Sequence, residues 1–363
     1  MRIGFYGSSL LSSYWNGAAT YYRGLLGGLA ANGYEIVFFE PDAFDRQSHR
    51  DIDPPGWAEV VVYPATEAGV RQVLSRAAGA DIVFKASGVG VFDDELLAGV
   101  IAHAAPHALR CFIDVDAPAT LSAIRAAPDH PMRAALSSLD LVITYGGGPP
   151  VVDAYTELGA ARCVPIYNAL DPATHFPVPR IEQFASDLAF LANRLPDREA
   201  RVEEFFIKPA AALQDRSFLL GGNGWHDRSM PANIRRIGHV STNDHNAFNC
   251  SSLAVLNVAR DSMAAVGFSP ATRVFEAAGA GACLITDAWE GIEHFLKPDE
   301  EVLVARDGND VRNHMASLTP QRAKAIGERA RLRILAEHTY DRRALQLHAL
   351  LKKTAGSRPQ RSA

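Results

Sequence analysis

Two α/β domains, each built on a mostly parallel, doubly wound sheet, are the fold class that the sequence predicts. Three observations predict it. Short β-rich runs alternate with helical stretches along the whole chain, a proline-rich polar segment interrupts the alternation once near the midpoint, and 363 residues suffice for two ordinary domains. With 48% hydrophobic and 21% charged residues, the composition is that of a globular chain, which excludes disordered and fibrous classes.

The elements follow in order. RIGFYG reads as a strand, YYRGLLGGLAANG as a helix, YEIVFFEPD and AEVVVYP as strands, EAGVRQVLSRAAG as a helix and ADIVFKAS as a strand. A helix near DELLAGVIAHAA, the strands ALRCFIDVD and LDLVITYG, a helix near VVDAYTELG and the short strand ARCVPIYN complete the first domain, expected over residues 1–175. NALDPATHFPVPRIEQ is the natural boundary, with a linker at about 171–183. The same grammar restarts with DLAFLANRL, a helix near REARVEEFFIKPAAAL, then RSFLLGG, NIRRIGHV, SSLAVLNVA, a further helix, ACLITD and EVLVA, giving a second domain over 183–330. Residues 331–353 read as C-terminal helix with a break near HTYD, and the tail 354–363 lacks apolar residues and is expected to be disordered.

Several function classes lose support at once. A net charge of −5 gives no general electrostatic reason to expect nucleic-acid binding, so any anion site is local. Cys111, Cys163, Cys250 and Cys283 are far apart without a CxxC, as expected of reduced core residues. Met1 leads into RIGFYG with no basic and apolar leader, and no apolar run reaches about eighteen residues, so the expectation is a cytoplasmic protein with no membrane span. HExxH, the P-loop, GxSxG and GxGxxG are all absent, which argues against zinc hydrolase, P-loop kinase, serine hydrolase and simple NAD-binding readings.

The most informative stretch is SPATRVFEAAGAGACLITD, residues 269–287, a marked helix start feeding a buried strand. Ser269 suits an N-cap and Pro270 the first helical position, so free backbone N–H groups there would bind an anion. Ser269, Thr272, Arg273 and Glu276 share one helical face, while Val274, Phe275, Ala277 and Ala278 form the apolar one. Glu276 would lie about 9 Å beyond Pro270 along the axis, a span that fits a diphosphate at the start and ribose hydroxyls at the glutamate.

This stretch, continued by AWEGIEHFLKPDEEVLVA, resembles the C-terminal half of a GT-B glycosyltransferase, and within that class the CgeB-like group. SYWNGAATYYRGLLGGLAANGYEIVFFEPD, DVDAP and LDPATHFPV extend the resemblance over most of the chain. It implies two Rossmann-like domains facing a cleft, with C-terminal helices crossing back to the N-terminal domain. It also implies donor nucleotide sugar in the second domain, acceptor in the first, and no obligatory metal or further cofactor. Glu276 takes the ribose role by the motif. Many retaining relatives carry a second acidic residue eight positions earlier, where this chain has Phe268, so the stereochemical outcome is left open.

The resemblance distributes the remaining candidates. Arg198, with Arg194 and Lys208 behind it, and Arg273 would stabilise the departing diphosphate. Val240 would offer backbone groups to the base, and His245 and Asn249 would reach the base, phosphates or sugar. Asp287, Glu290 and Gly291 would border the transferred sugar. In the first domain Gly7, Ser8, Asn16 and Gly17 form a candidate acceptor loop. Asp114 and Asp116 end a strand on one face, where function collects. Asp116 is the candidate for deprotonating an acceptor hydroxyl, with a plain helix cap ahead of Ala117-Pro118 as the alternative reading. Two other functions stay open on the same fold: nucleotide-sugar binding without transfer, and nucleotide-sugar epimerisation. The base, the sugar, the acceptor and the oligomeric state are not legible in the sequence.

Overall fold

The computed structural model describes residues 1–14 and 16–357, which fall into two compact units. The first comprises Met1–Tyr167 and Tyr340–Ala363, the second Asn168–Thr339. Among the described residues no helix is long and apolar enough to cross a membrane.

The first unit holds a seven-stranded sheet of β1 (Arg2–Tyr6), β2 (Glu35–Asp42), β3 (Ala58–Pro64), β4 (Ile82–Ala86), β5 (Leu109–Asp114), β6 (Leu141–Thr144) and β7 (Cys163–Pro165). Its order is β3-β2-β1-β4-β5-β6-β7 and every neighbouring pair is parallel. The second holds β8 (Ser186–Leu191), β9 (Phe218–Gly221), β10 (Ile234–Gly238), β11 (Ser252–Asn257), β12 (Leu284–Asp287) and β13 (Leu303–Ala305), in the order β10-β9-β8-β11-β12-β13, again all parallel. Helices cover both faces of such sheets, so central strands such as β1, β4, β8 and β11 are almost continuously apolar rather than alternating. Aromatic pairs lock the first sheet: Phe5 stacks on Phe38 at 5.0 Å and Tyr6 on Phe39 at 4.5 Å.

The chain leaves the first unit after Tyr167, and the segment expected as a linker over 171–183 belongs to the second unit. The reason is hydrogen bonding. Asp171 Oδ1 accepts from Ala173 N, Phe176 N donates to Asn246 Oδ1, Val178 N to Cys250 Sγ and Ile181 N to Ser251 Oγ. A segment with its amides satisfied in this way is part of the domain. The second-unit helix expected as one run is broken by a π-turn at Glu203–Ile207, because Pro209 cannot donate the usual bond back to Phe205.

At the C-terminus the helix Pro320–Glu337 stays in the second unit and the helix Tyr340–Gly356 joins the first. Helix therefore replaces the expected disorder at 354–356, residue 357 forms a turn, and 358–363 lie outside the described residues. The returning helix packs on the helix Ala18–Ala31 through two glycines one turn apart. A Cβ on Gly24 would stand 2.2 Å from the Tyr340 ring, and one on Gly28 would stand 2.5 Å from Ala344 Cβ. Arg343 Nε adds a bond to Tyr167 O at 3.2 Å.

Asp114, expected at an acceptor loop, is instead a buried tie at the carboxyl end of β5. Its Oδ1 accepts from Ser87 Oγ, Thr120 Oγ1 and Asp116 N at 2.9–3.0 Å, and its Oδ2 from Tyr155 Oη at 2.6 Å. With four donors on it and almost no exposure, the carboxylate serves the core and not a loop surface; burial raises its pKa despite these bonds.

Two outcomes follow for stability, both read as chemical denaturation midpoints. Asp114→Ala strands Tyr155 and its companion donors in the core and should cost about 2–4 kcal/mol. Gly28→Leu should separate the two packed helices at a cost of about 1–3 kcal/mol, whereas Gly17→Ala, where an added Cβ meets nothing within 4 Å, should change little.

Candidate active site

In a doubly wound sheet, ligands bind beyond the carboxyl ends of the two strands at which the winding reverses. In the second unit those strands are β8 and β11. The loop after β8 carries Arg198, the loop after β11 carries Arg260, and the helix Thr272–Gly279 that follows carries Arg273. Arg198 Nη2 donates to Asn193 O at 2.7 Å while its buried Nε has no partner. Burial, reinforced by the charges of Arg273 and Arg260, pushes the Arg198 guanidinium down to about 10, so it is still cationic at neutral pH. Arg260 Nε is paired with Asp197 Oδ2 at 2.9 Å, which also accepts from Ser262 Oγ. Burial lowers the Arg273 pKa as well, with Glu276 opposing the shift. Like charges gathered in a partly desolvated place are costly unless an anion joins them.

The helix beside these arginines begins two residues later than expected. Its N-cap is Ala271, with no side-chain cap bond, and Thr272 opens the first turn. Ser269 is no cap, since its hydroxyl donates to Gly267 O at 2.8 Å, and Pro270 precedes the helix. Glu276 is therefore four residues inside the helix, about 6 Å from its start. The preceding turn is held by Phe268, in the left-handed region at φ 46°, whose N–H donates to Glu290 O at 2.6 Å. Gly291, at φ 91°, lies so close to the Phe268 ring that a Cβ would come within 2.2 Å of it. Gly291 thus fixes this turn, and the Glu290 side chain is exposed beside it.

Glu276 is not alone. His175 Nε2 is 3.9 Å from Glu276 Oε1, and the His175 and His245 rings are 6.1 Å apart. His245 opens the helix His245–Ser251 and bonds to the Val240 backbone. Burial, with Arg273 and His175 adding to it, lowers its pKa, so the ring is neutral at neutral pH. Val240 itself is buried. The structure thus brings Arg198, Arg273, Thr272, Glu276, His245 and Val240 to the carboxyl side of one sheet.

Two expected members are not part of this group. Asn249 lies one helical turn beyond His245 and lines a cavity of about 700 Å³ bordered by Ser186, Ser252 and Cys283, at the amino ends of β8, β11 and β12. Asp287 is fully buried; it accepts from Arg201 Nη2 at 2.6 Å and from Ala259 N at 2.9 Å, so it ties β12 to the helix Glu199–Val202 and to the loop after β11 instead of facing a sugar. Arg194 and Lys208 are neutralised by carboxylates, the former by Glu199 and Asp227 and the latter by Glu204.

In the first unit the reversal lies between β1 and β4. The loop after β1 is internally knotted: Ser8 Oγ donates to Asn16 Oδ1 at 2.9 Å, and Asn16 Nδ2 donates to Ser9 O and Ser12 O at 3.0 Å. Gly7 packs under Phe38, and exposed Gly17 is the N-cap of the helix Ala18–Ala31. Buried Glu40 holds the same loop through Ser9 Oγ and Leu10 N, a tie that sequence reasoning missed. Asp116 is the N-cap residue of the helix Ala117–Ala126, yet its side chain makes no capping bond there, so the plain-cap reading does not account for the carboxylate.

Residues 198–349 match a family model described as glycosyl transferase-like. No curated protein matches the sequence significantly. Among solved structures, a sucrose-phosphate synthase from Thermosynechococcus elongatus is similar over 99% of this chain and 100% of its own, with a TM-score of 0.69 at 15% identity. HepE from Anabaena, in complex with UDP-glucose, gives 0.67 at 13% identity over 97% and 100%. An alpha-glucosyltransferase in complex with UDP gives 0.69 at 11% identity over 97% and 100%. The fold is the GT-B fold of these structures, and residues 198–349 carry the glycosyl transferase-like match.

Proposed function

We propose that this protein is a glycosyltransferase that uses a nucleoside diphosphate sugar as donor and an acceptor hydroxyl, or another nucleophile, as acceptor, with no metal in the transfer step. The observation that carries the reading is the gathering of Arg198, Arg260 and Arg273 beside an uncapped helix start, with Glu276 one turn further on. Arg198 and Arg273 take the diphosphate and Glu276 the ribose hydroxyls. In the transfer, the bond from the sugar anomeric carbon to the diphosphate oxygen breaks and its electron pair stays on the diphosphate, where the arginines stabilise it. The acceptor oxygen bonds the anomeric carbon, and its proton passes to a base, for which Asp116 in the first unit is the candidate. Arginines performing this task explain why the step needs no divalent cation.

The finer assignment is to the CgeB-like group, supported by SPATRVFEAAGAGACLITD and its continuation. Two of the similar structures carry UDP or UDP-glucose, which makes UDP the first nucleotide to try. The chain is proposed to work in the cytoplasm, in keeping with the absence of a membrane-crossing helix among the described residues.

Thermal shifts with UDP, GDP, dTDP, CDP, ADP and NAD, each with and without EDTA, test the donor class. One nucleoside diphosphate should stabilise the protein selectively and regardless of EDTA, by about 2.7 kcal/mol at a hundredfold excess over its Kd. Stabilisation by NAD alone, or only when metal is present, would overturn the proposal. Glu276→Ala and Arg198→Ala should each weaken binding of the stabilising nucleotide by roughly 10- to 100-fold, the range of lost charge-assisted bonds, with unchanged circular dichroism. Calorimetric titration of the two variants measures this, and wild-type affinity in both would remove these residues from the site.

A further inference from the structure

Outside the proposed donor diphosphate site stands His175, which neither the proposed transfer reaction nor the core uses. Its ring is almost entirely buried, with 6% of the side chain exposed, and its Nε2 has no hydrogen-bond partner. Thr174 Oγ1 lies 2.9 Å from His175 Nδ1 and gives that nitrogen an outer partner. Nε2 on the other side of the ring faces a Glu276 carboxylate oxygen 3.9 Å away, too far for a hydrogen bond and with room for an ion to draw the two together.

The position of this ring is built rather than incidental. Asn246 clamps both neighbours of His175, donating from Nδ2 to Thr174 O at 2.9 Å and accepting at Oδ1 from Phe176 N at 3.2 Å. His245, the residue before Asn246, is tied to the Val240 backbone. Each imidazole thus has one nitrogen oriented by an outer partner, the arrangement that fixes metal-binding histidines. One ligand atom from each of His175, His245 and Glu276 can be chosen so that all lie within 4.8 Å of one another.

We propose that His175, His245 and Glu276 form a binding site for a zinc-class transition-metal ion, overlapping the position assigned to the donor ribose. Two imidazoles and one carboxylate suit zinc, cobalt or nickel rather than magnesium or calcium. Metal–ligand bonds of about 2.0–2.2 Å place tetrahedral ligand atoms about 3.3 Å apart, within reach by a small inward swing of the side chains. The fourth position stays open. Arg273, beside Glu276, opposes a dication and keeps the binding reversible. A metal here and a ribose on Glu276 exclude one another, so the ion inhibits the enzyme by competing with donor. That last point rests on the ribose assignment; the site itself does not.

The test uses the full chain after EDTA treatment and buffer exchange, titrated with cobalt(II) chloride and followed by visible absorption and equilibrium dialysis. One equivalent should bind, with the ligand-field bands of a four-coordinate ion. His175→Ala and His245→Ala should each raise the dissociation constant by more than about 100-fold, since even outer-partner losses cost 10–100-fold. His175→Gln guards against a packing artefact and should behave in the same way, while exposed His226→Ala should bind as wild type. No stoichiometric cobalt, or binding indifferent to both histidines, overturns the site. Adding UDP, or whichever nucleoside diphosphate stabilises the protein, should abolish the bands. Bands that depend on both histidines and persist in saturating nucleotide would uphold the metal site and instead refute the placement of the ribose on Glu276.

Discussion

Parallel pairing of β8 with β11, the first and fourth strands of their sheet, is the constraint from which the chemistry of the second unit follows. β8 connects to β9 on one side of the pair and β11 to β12 on the other, so right-handed connections leave the two strands toward opposite faces of the sheet. The gap so opened at their carboxyl ends receives the loop with Arg198, the loop with Arg260 and the start of the helix bearing Arg273 and Glu276. None of these residues neighbours another in sequence, except the last two. Their common feature is the strand end that delivers them, and the charge they gather is what supports the proposed anion site.

A second theme is the use of buried carboxylates as ties around functional loops. Asp114 ends β5 with four donors, Asp287 ends β12 on Arg201 and Ala259, and Glu40 in β2 holds the loop after β1. Each satisfies amides or hydroxyls that a loop at a sheet edge would otherwise leave unpaired. The effect is to stiffen the carboxyl edges of both sheets. Rigid edges of this kind hold the arginines and the helix start in place before any ligand arrives, which is where electrostatic stabilisation of a leaving group comes from.

Much of this was legible in the sequence because it depends on local pattern. Strand-helix alternation gave both sheets, and the apolar face of Val274, Phe275, Ala277 and Ala278 oriented Glu276 and Arg273 to the other side. What was not legible depends on partners far along the chain. Ser269 has the signature of a cap, but a hydroxyl two residues from Gly267 O is satisfied by a turn equally well, and the helix starts later. A carboxylate at a strand end can face a ligand or the core, and for Asp287 Arg201, 86 residues away, decides. His175 sits in a proline-flanked segment with no periodicity; only Asn246, about seventy positions on, brings it to Glu276. Arg260 gave no signal beyond its place just after an apolar strand.

In the proposed donor complex the diphosphate lies between Arg198 and Arg273 with the ribose on Glu276. A crystal structure of the protein with bound UDP, or with the nucleoside diphosphate that stabilises it most, tests this directly. The account predicts phosphate oxygens within hydrogen-bonding distance of both guanidinium groups and of the backbone N–H groups at Thr272, and ribose hydroxyls on the Glu276 carboxylate. A nucleotide found instead in the cavity of about 700 Å³ at the amino ends of β8, β11 and β12, or with its phosphates remote from both arginines, would contradict it.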